Sequence, residues 1–162
     1  MITRGVVGLA LIVSLLVLLS GCATNSMTRA EREQAYNNYI ETEKLESLDR
    51  ITAFRFDGWS DLGRKHLIIN TTGNRFFLIA LRNECIDLDF SVGINIHNTG
   101  SLLRARFDSI SVPGNMQPKC FIDKIYKITP EQRKTLVSLH KQDNETSEAE
   151  TTGENKAPKT TE

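Results

Sequence analysis

The sequence has 162 residues, of which 40% are hydrophobic, and its 20 Lys and Arg residues balance 20 Asp and Glu residues. This length and composition fit one folded domain with tails. They argue against a nucleic-acid-binding protein, which would present a concentrated basic surface. The charge is uneven along the chain, because residues 23–142 carry 17 basic and 14 acidic side chains, whereas residues 143–162 carry 2 and 6.

The first 21 residues have the pattern of an export signal. Arg4 provides one positive charge, and residues 6–19 form an apolar run that is shorter than the ~20 residues of a membrane-spanning helix. The run ends in Leu19-Ser20-Gly21-Cys22, which resembles the lipobox read by the enzymes that process bacterial lipoproteins. This resemblance implies cleavage between Gly21 and Cys22 and acylation of the Cys22 thiol. The alternative is an uncleaved signal anchor in which the cysteine is incidental.

The same resemblance implies a location. A mature lipoprotein carries three acyl chains, and two or more chains hold a protein stably on a membrane. Ala23 stands where lipoproteins retained in the inner membrane of enteric-type bacteria have aspartate. We therefore expect a lipid-anchored protein on the periplasmic face of the outer membrane, with the inner membrane as the alternative and residues 22–28 as a short tether.

A helix is predicted over residues 29–47. Thr28 and Glu31 have the spacing of a capping box, and neither Gly nor Pro interrupts the segment. Its apolar residues share one side of a helix: Tyr36, Tyr39 and Ile40. We interpret this side as packing on the domain rather than as a groove for a partner.

Residues 48–142 are predicted to form a β-rich domain with a C-terminal helix. Short runs rich in Ile, Phe and Val alternate with Gly, Asn and Asp in this region. The run 75–82 is apolar on both faces, which predicts a central strand, and residues 71–74 are predicted to form a hairpin turn. The predicted strands are 51–56, 66–70, 75–82, 86–90, 93–97, 102–107, 109–112 and 120–128.

Cys85 and Cys120 are the two cysteines that remain when Cys22 is acylated. An even pair in an oxidising compartment predicts a disulfide bond. The alternatives are two buried thiols, or a metal pair that lacks further ligands. Cys85 precedes the predicted strand 86–90, in which Ile86, Leu88 and Phe90 alternate with Asp87 and Asp89 and so predict one solvated face.

A second helix is predicted from Pro130 to about residue 142. Thr129 is suited to its N-cap and Gln132 to its third position. Residues 143–162 contain almost no apolar side chains and are predicted to be a disordered acidic tail. Together the elements predict an α+β, mostly β fold, with an antiparallel sheet or small open barrel flanked by an N-terminal helix and a short C-terminal helix.

Residues capable of chemistry are few and scattered. His66, His97 and His140 have no metal-ligand spacing, so we expect no metal or other cofactor. No serine stands in a nucleophile-elbow context. The only tryptophan, Trp59, lies near Arg55, and the two could form a platform for a sugar ring or a peptide. The alternative is that Trp59 covers the core with Arg55 stacked on it.

Several segments resemble a family of small bacterial lipoproteins whose domain has no assigned function. The resemblance covers residues 45–135 and includes the two-cysteine frame. It is carried by Arg50-Ile51-Thr52-Ala53-Phe54-Arg55 leading to Trp59, by Arg75-Phe76-Phe77-Leu78 and by Ile125-Tyr126-Lys127-Ile128-Thr129-Pro130. Because the family has no assigned activity, it implies no catalytic residue.

These observations lead to two hypotheses about function. The first is a non-enzymatic module of the cell envelope, held on the membrane through Cys22, that binds an envelope protein or peptidoglycan. The second is a small periplasmic enzyme or ligand-binding protein with a site near Trp59, His66 and Asp57. The second requires these three side chains to meet in one concavity.

Overall fold

The computed structural model describes residues 27–114 and 118–151, with the side chains up to residue 141. The two helices are α1, Arg29–Thr42, and α2, Pro130–Thr151. The strands are β1 Ser47–Leu48, β2 Arg50–Thr52, β3 Phe56–Asp61, β4 His66–Thr71, β5 Arg75–Leu81, β6 Asn95–His97, β7 Leu102–Arg104, β8 Ser109–Ser111 and β9 Cys120–Ile128. A 3₁₀ turn, Leu88–Phe90, lies between β5 and β6.

The strands form a curled antiparallel sheet and a separate two-stranded ribbon. The sheet has the order β3-β4-β5-β9-β8-β6. β8 pairs with the start of β9, and β1 pairs with its C-terminal half at Ile125 and Tyr126. The ribbon consists of β2 and β7. The prediction of a mostly β fold with an antiparallel sheet and two helices is therefore confirmed.

The two faces of the sheet pack against different elements. The inner face, which includes Phe77 and Ile79, packs on Ile51 and Leu103 of the β2–β7 ribbon. The outer face, which includes Phe76 and Leu78, packs on the helices through apolar residues such as Tyr36 and Leu136. Strand β5 alternates between the faces and pairs with β4 and β9. Its predicted central position is confirmed.

The hairpin predicted at residues 71–74 joins β4 to β5. Thr71 pairs with Arg75, and Gly73 and Asn74 both have positive φ angles, of 84° and 58°. Glycine and asparagine tolerate this left-handed conformation better than other residues. The turn therefore forms where the sequence carries residues suited to it.

Helix α1 begins at its predicted cap but ends earlier than residue 47. Thr28 and Glu31 form the reciprocal capping box. The N–H of Leu45 donates to the Ile40 carbonyl and the N–H of Lys44 to the Glu41 carbonyl, while Lys44 has a φ of 49°. These bonds form a Schellman motif, which terminates a helix. The chain then turns directly into β1, so the predicted boundary was wrong.

Helix α2 begins as predicted and ends later. The Gln132 N–H donates to the Thr129 hydroxyl, and the Thr129 N–H donates to the Gln132 side chain. The backbone remains helical to Thr151, beyond the predicted end at residue 142, because neither Gly nor Pro occurs before Gly153. The predicted acidic tail thus begins as helical backbone up to Thr151, and its remainder lies outside the described residues.

Three predicted strands end or break where residues adopt left-handed conformations. The strand predicted at 51–56 is interrupted at Ala53, whose φ is 50°, and the chain resumes as β3, which extends through Trp59. The strand predicted at 102–107 ends at Arg104, before Arg106 with a φ of 69°. The segment 86–90 is not a strand, because Asp87 has a φ of 64° and leads into the 3₁₀ turn.

The predicted signal peptide, the Gly21–Cys22 cleavage site and nearly all of the predicted tether precede the described residues. Among the described residues, neither helix is apolar over a length that could cross a membrane.

Candidate functional site

The side chains of the predicted Trp59, His66 and Asp57 site are not brought together. Trp59 pairs with Ile69 and packs on the inner cluster. His66 points to the outer face, where its ring lies 5.4 Å from that of Tyr36 on α1. Trp59 and His66 are therefore on opposite faces of the sheet. Packing of Trp59 on the core matches the alternative interpretation of that residue.

Asp57 and Arg55, which were also predicted to take part in binding, do not form a site with Trp59 and His66. Asp57 accepts a hydrogen bond from the Asn70 amide at 3.2 Å. Asn70 is four residues from His66 along β4, or about 13 Å of extended strand. Arg55 is exposed just before β3. The structure thus provides no shared concavity for these residues.

His66 is a buried packing residue. Its side chain is almost fully enclosed between β4 and α1. Burial, together with the smaller effect of the nearby Lys65 ammonium, lowers the pKa of His66 from 6.5 to about 4. The imidazole is consequently neutral at neutral pH.

The other two histidines connect structural elements. His140 lies on α2, and its Nε2 atom is 3.0 Å from the Asp61 carboxylate at the end of β3. His97 Nε2 lies 2.8 Å from the Ser111 hydroxyl between β6 and β8. Among the side chains of residues 27–114 and 118–141, no three His, Cys, Asp or Glu residues are grouped closely enough to hold a metal ion.

Cys85 and Cys120 form the predicted disulfide bond. Their Cα atoms lie 5.5 Å apart, and both side chains are buried. Cys120 opens β9 as expected. Cys85 does not open a strand. It begins the segment that leads to the 3₁₀ turn, and the bond therefore ties this segment to the central sheet.

A turn between β7 and β8 forms a surface feature that the sequence analysis missed. The Asp108 carboxylate accepts the Arg104 N–H at 2.6 Å, and the Asp108 N–H donates to the Arg104 carbonyl at 3.2 Å. Arg106 donates its N–H to the Ile122 carbonyl at 2.7 Å. These bonds hold the turn against β9, with Asp108 only 5% exposed beneath it.

This turn and the start of β2 enclose a concavity of about 260 Å³, which we call the basic depression. It is lined by Asp49, Arg50, Arg104, Ala105, Arg106 and Phe107. A second concavity of about 300 Å³ continues from it past Asp49 and Arg106 towards Lys124. Three arginine residues and one aspartate therefore line one small surface site.

The basic depression combines charge with an accessible aromatic ring. The Arg106 guanidinium lies 3.1 Å from the Asp49 carboxylate, but both side chains are largely exposed. The Arg104 guanidinium lies 5.6 Å from the Phe107 ring centroid, and Phe107 is 72% exposed. Planar guanidinium groups bind carboxylates and phosphates through paired hydrogen bonds. The arrangement can thus bind an anionic group with an apolar neighbour.

The signal for this depression was present in the sequence as Arg104-Ala105-Arg106-Phe107-Asp108. Its interpretation as the end of a strand placed Arg104 and Arg106 on one face and Ala105 and Phe107 on the other. The left-handed Arg106 and the buried Asp108 instead fold the segment into a turn. Arg50, which is far away in sequence, joins the site because β2 pairs with β7.

Comparison with known proteins identifies a family. No curated protein and no solved structure matches the chain. The sequence profile of one family matches residues 6–144, which include every strand and most of both helices. The chain therefore belongs to the family of unknown function DUF6491.

Proposed function

We propose that the chain is a lipoprotein, anchored through Cys22 on the periplasmic face of the outer membrane, and that its β domain is a non-enzymatic binding module. The basic depression is the site at which it binds an anionic group of an envelope partner.

The anchor is supported by the order of features at the start of the chain. A positive charge, an apolar run and the lipobox-like Leu19-Ser20-Gly21-Cys22 follow one another at signal-peptide spacing. The Cys85–Cys120 disulfide supports the same compartment, since such bonds persist in the periplasm and are rare in the cytosol. Ala23 supports the outer membrane over the inner one.

The binding role rests on the basic depression. Arg50 and Arg106 are exposed around it, and Arg104 is held in place by the buried Asp108 carboxylate, 3.5 Å from the guanidinium. A preorganised site loses little entropy when a ligand binds. Carboxylates are the matching groups, and both the peptide stems of peptidoglycan and acidic segments of envelope proteins carry them.

Photocrosslinking in intact cells tests this role. A photoreactive phenylalanine analogue at position 107 replaces one exposed aromatic side chain by another. We expect crosslinks to one recurrent partner. If the partner is peptidoglycan, a peptidoglycan hydrolase should leave muropeptides attached to the chain. If it is a protein, the crosslinked product should migrate as a discrete band. The Arg50→Glu/Arg106→Glu variant should lower the yield at least ~10-fold, because each charged hydrogen bond is worth ~1.5–3 kcal/mol.

The control for charge reversal is Lys134→Glu on the exposed side of α2, which should leave the crosslinks unchanged. If repeated experiments recover no partner, or if the arginine variant crosslinks as efficiently as the parent chain, the basic depression is not a binding site.

A further inference from the structure

The segment after the disulfide exposes large apolar side chains in a fixed conformation. Ile86, Phe90 and Val92 are 50%, 78% and 105% exposed, whereas Leu88 between them is completely buried. We call residues 86–92 the apolar loop. Single exposed hydrophobic residues are common on protein surfaces, but three large ones within seven residues concentrate exposed apolar area in one loop, as at sites that contact another apolar phase.

The apolar loop is held rigidly on the sheet. Cys85 is bonded to Cys120 and donates its N–H to the Arg64 carbonyl at 2.8 Å. Asp89 lies 3.3 Å from the Arg64 guanidinium, and Leu88 anchors the 3₁₀ turn in the inner cluster. Phe90 and Val92 are therefore presented outwards without the entropy cost of ordering a flexible segment.

The apolar loop lies at the end of the molecule from which the N-terminal segment leaves. Glu33, in the second turn of α1, forms an ion pair with Lys65 at 3.1 Å. The Lys65 carbonyl accepts the Leu81 N–H at 2.8 Å, just before the loop. The start of α1, the turn between β3 and β4, and the loop are thus neighbours.

The length of chain before α1 limits how far this end can lie from the proposed anchor. Five residues lie between Cys22 and Thr28, so the six Cα–Cα steps span at most about 21 Å when fully extended. A membrane that holds Cys22 is therefore close to the end of the domain that carries the apolar loop.

We infer that the apolar loop is a second membrane contact, in which Ile86, Phe90 and Val92 enter the lipid interface beside the acylated N-terminus. The inference rests on the proposed lipid anchor. The surrounding charges include exposed Glu84 and Asp87 as well as exposed Arg82, so the contact is apolar rather than electrostatic. It orients the domain on the membrane and requires no anionic lipid.

Tryptophan quenching by brominated lipids tests this orientation. The mature acylated chain, which begins at Cys22, is reconstituted in phosphatidylethanolamine–phosphatidylglycerol vesicles with brominated acyl chains, in a Trp59→Phe background. Phe90→Trp should be strongly quenched and shifted to shorter wavelength, equally at low and high salt. If Trp59→Phe lowers the yield of folded protein, Trp59 is retained and the emission of the parent chain is subtracted.

The matched control is Thr72→Trp in the exposed hairpin at the opposite end of β5. The seven residues of β5 place it about 20 Å or more from the apolar loop, and it should not be quenched. Acylated, vesicle-bound chain with no quenching at position 90 would overturn the inference while leaving the anchor intact. Equal quenching at both positions would also overturn it. Absence of acyl chains on Cys22 would overturn the proposed anchor and, with it, the inference.

Discussion

At the scale of single residues, two buried polar side chains are stabilised in different ways. Asp108 is a buried carboxylate that is surrounded by donors, namely the Arg104 N–H and guanidinium. His66 is buried against the Tyr36 ring and is stable there as the neutral imidazole. A buried charged group is stable only when partners compensate for its lost hydration, whereas a buried imidazole is stable as long as it stays unprotonated. Each arrangement predicts a different experimental response.

Replacing Asp108 should destabilise the protein. Asp108→Ala leaves the Arg104 N–H without its acceptor, and a buried donor without a partner costs ~1–3 kcal/mol. We expect the free energy of unfolding to fall by about 2 kcal/mol in denaturant titrations. Asp57→Ala is the matched control, since Asp57 is exposed and forms one hydrogen bond, and it should change stability by less than ~0.5 kcal/mol. Equal effects of the two substitutions would contradict the role of Asp108.

His66 should make the protein less stable in mild acid. Its folded-state pKa of about 4 is below the ordinary value of 6.5, so between these pH values the unfolded chain binds more protons. The stability contributed by the neutral ring is therefore complete above pH 6.5 and is lost as the pH falls to 4. Linkage gives ~3 kcal/mol for this difference.

The measurement compares the free energy of unfolding, from denaturant titrations, at neutral pH and near pH 4, the folded-state pKa of His66. His66→Gln, which cannot be protonated in this range, should reduce the pH dependence by about the linkage amount. His97→Gln removes an exposed histidine instead and serves as the control. An unchanged pH dependence in His66→Gln would show that burial of this ring is not its source.

At the scale of elements, local sequence signals predicted the structure well where neighbouring residues decide it. The capping boxes at Thr28 and Thr129, the 71–74 hairpin and the two-faced strand β5 all formed as expected. Each depends on residues within a few positions of one another. Such signals survive in the folded protein because tertiary contacts reinforce them.

The predictions failed where distant contacts determine the backbone. Phe54 donates its N–H to the Ser101 carbonyl, which ends β2 and separates it from β3. Arg64 binds the 85–89 segment and prevents it from pairing as a strand. The basic depression joins Arg50 to Arg106 across two strands that are far apart in sequence. No short-range pattern in one sequence contains this information.

The disulfide bond stabilises the link between the apolar loop and the central sheet. It closes a separation of 35 residues, for which chain entropy alone contributes ~4 kcal/mol, reduced by any strain. We expect Cys85→Ala to lower the free energy of unfolding by ~2–4 kcal/mol, and the Cys85→Ala/Cys120→Ala variant to be no less stable than either single one. Alkylation of both thiols in exported, unreduced protein would contradict the bond.

At the scale of the whole molecule, the proposed anchor and the two surface sites define one orientation. The start of α1 and the apolar loop lie at one end of the sheet, and the 71–74 hairpin lies at the other. The basic depression lies on the turn between β7 and β8, against β9. In this orientation the apolar loop contacts the membrane, and the basic depression lies close to the same end of the sheet, because the Arg82 guanidinium just before the loop donates to the Arg106 carbonyl at 3.5 Å.

The lipid anchor is tested by metabolic labelling with a clickable fatty-acid analogue. The parent chain should be labelled, and Cys22→Ser should abolish the label and leave a precursor of higher mass, because the processing peptidase requires the lipidated cysteine. The Cys85→Ser/Cys120→Ser variant is the matched control, since it removes two cysteines but keeps the lipobox, and its label per molecule should equal that of the parent chain. Equal labelling of Cys22→Ser and the parent chain would contradict the anchor.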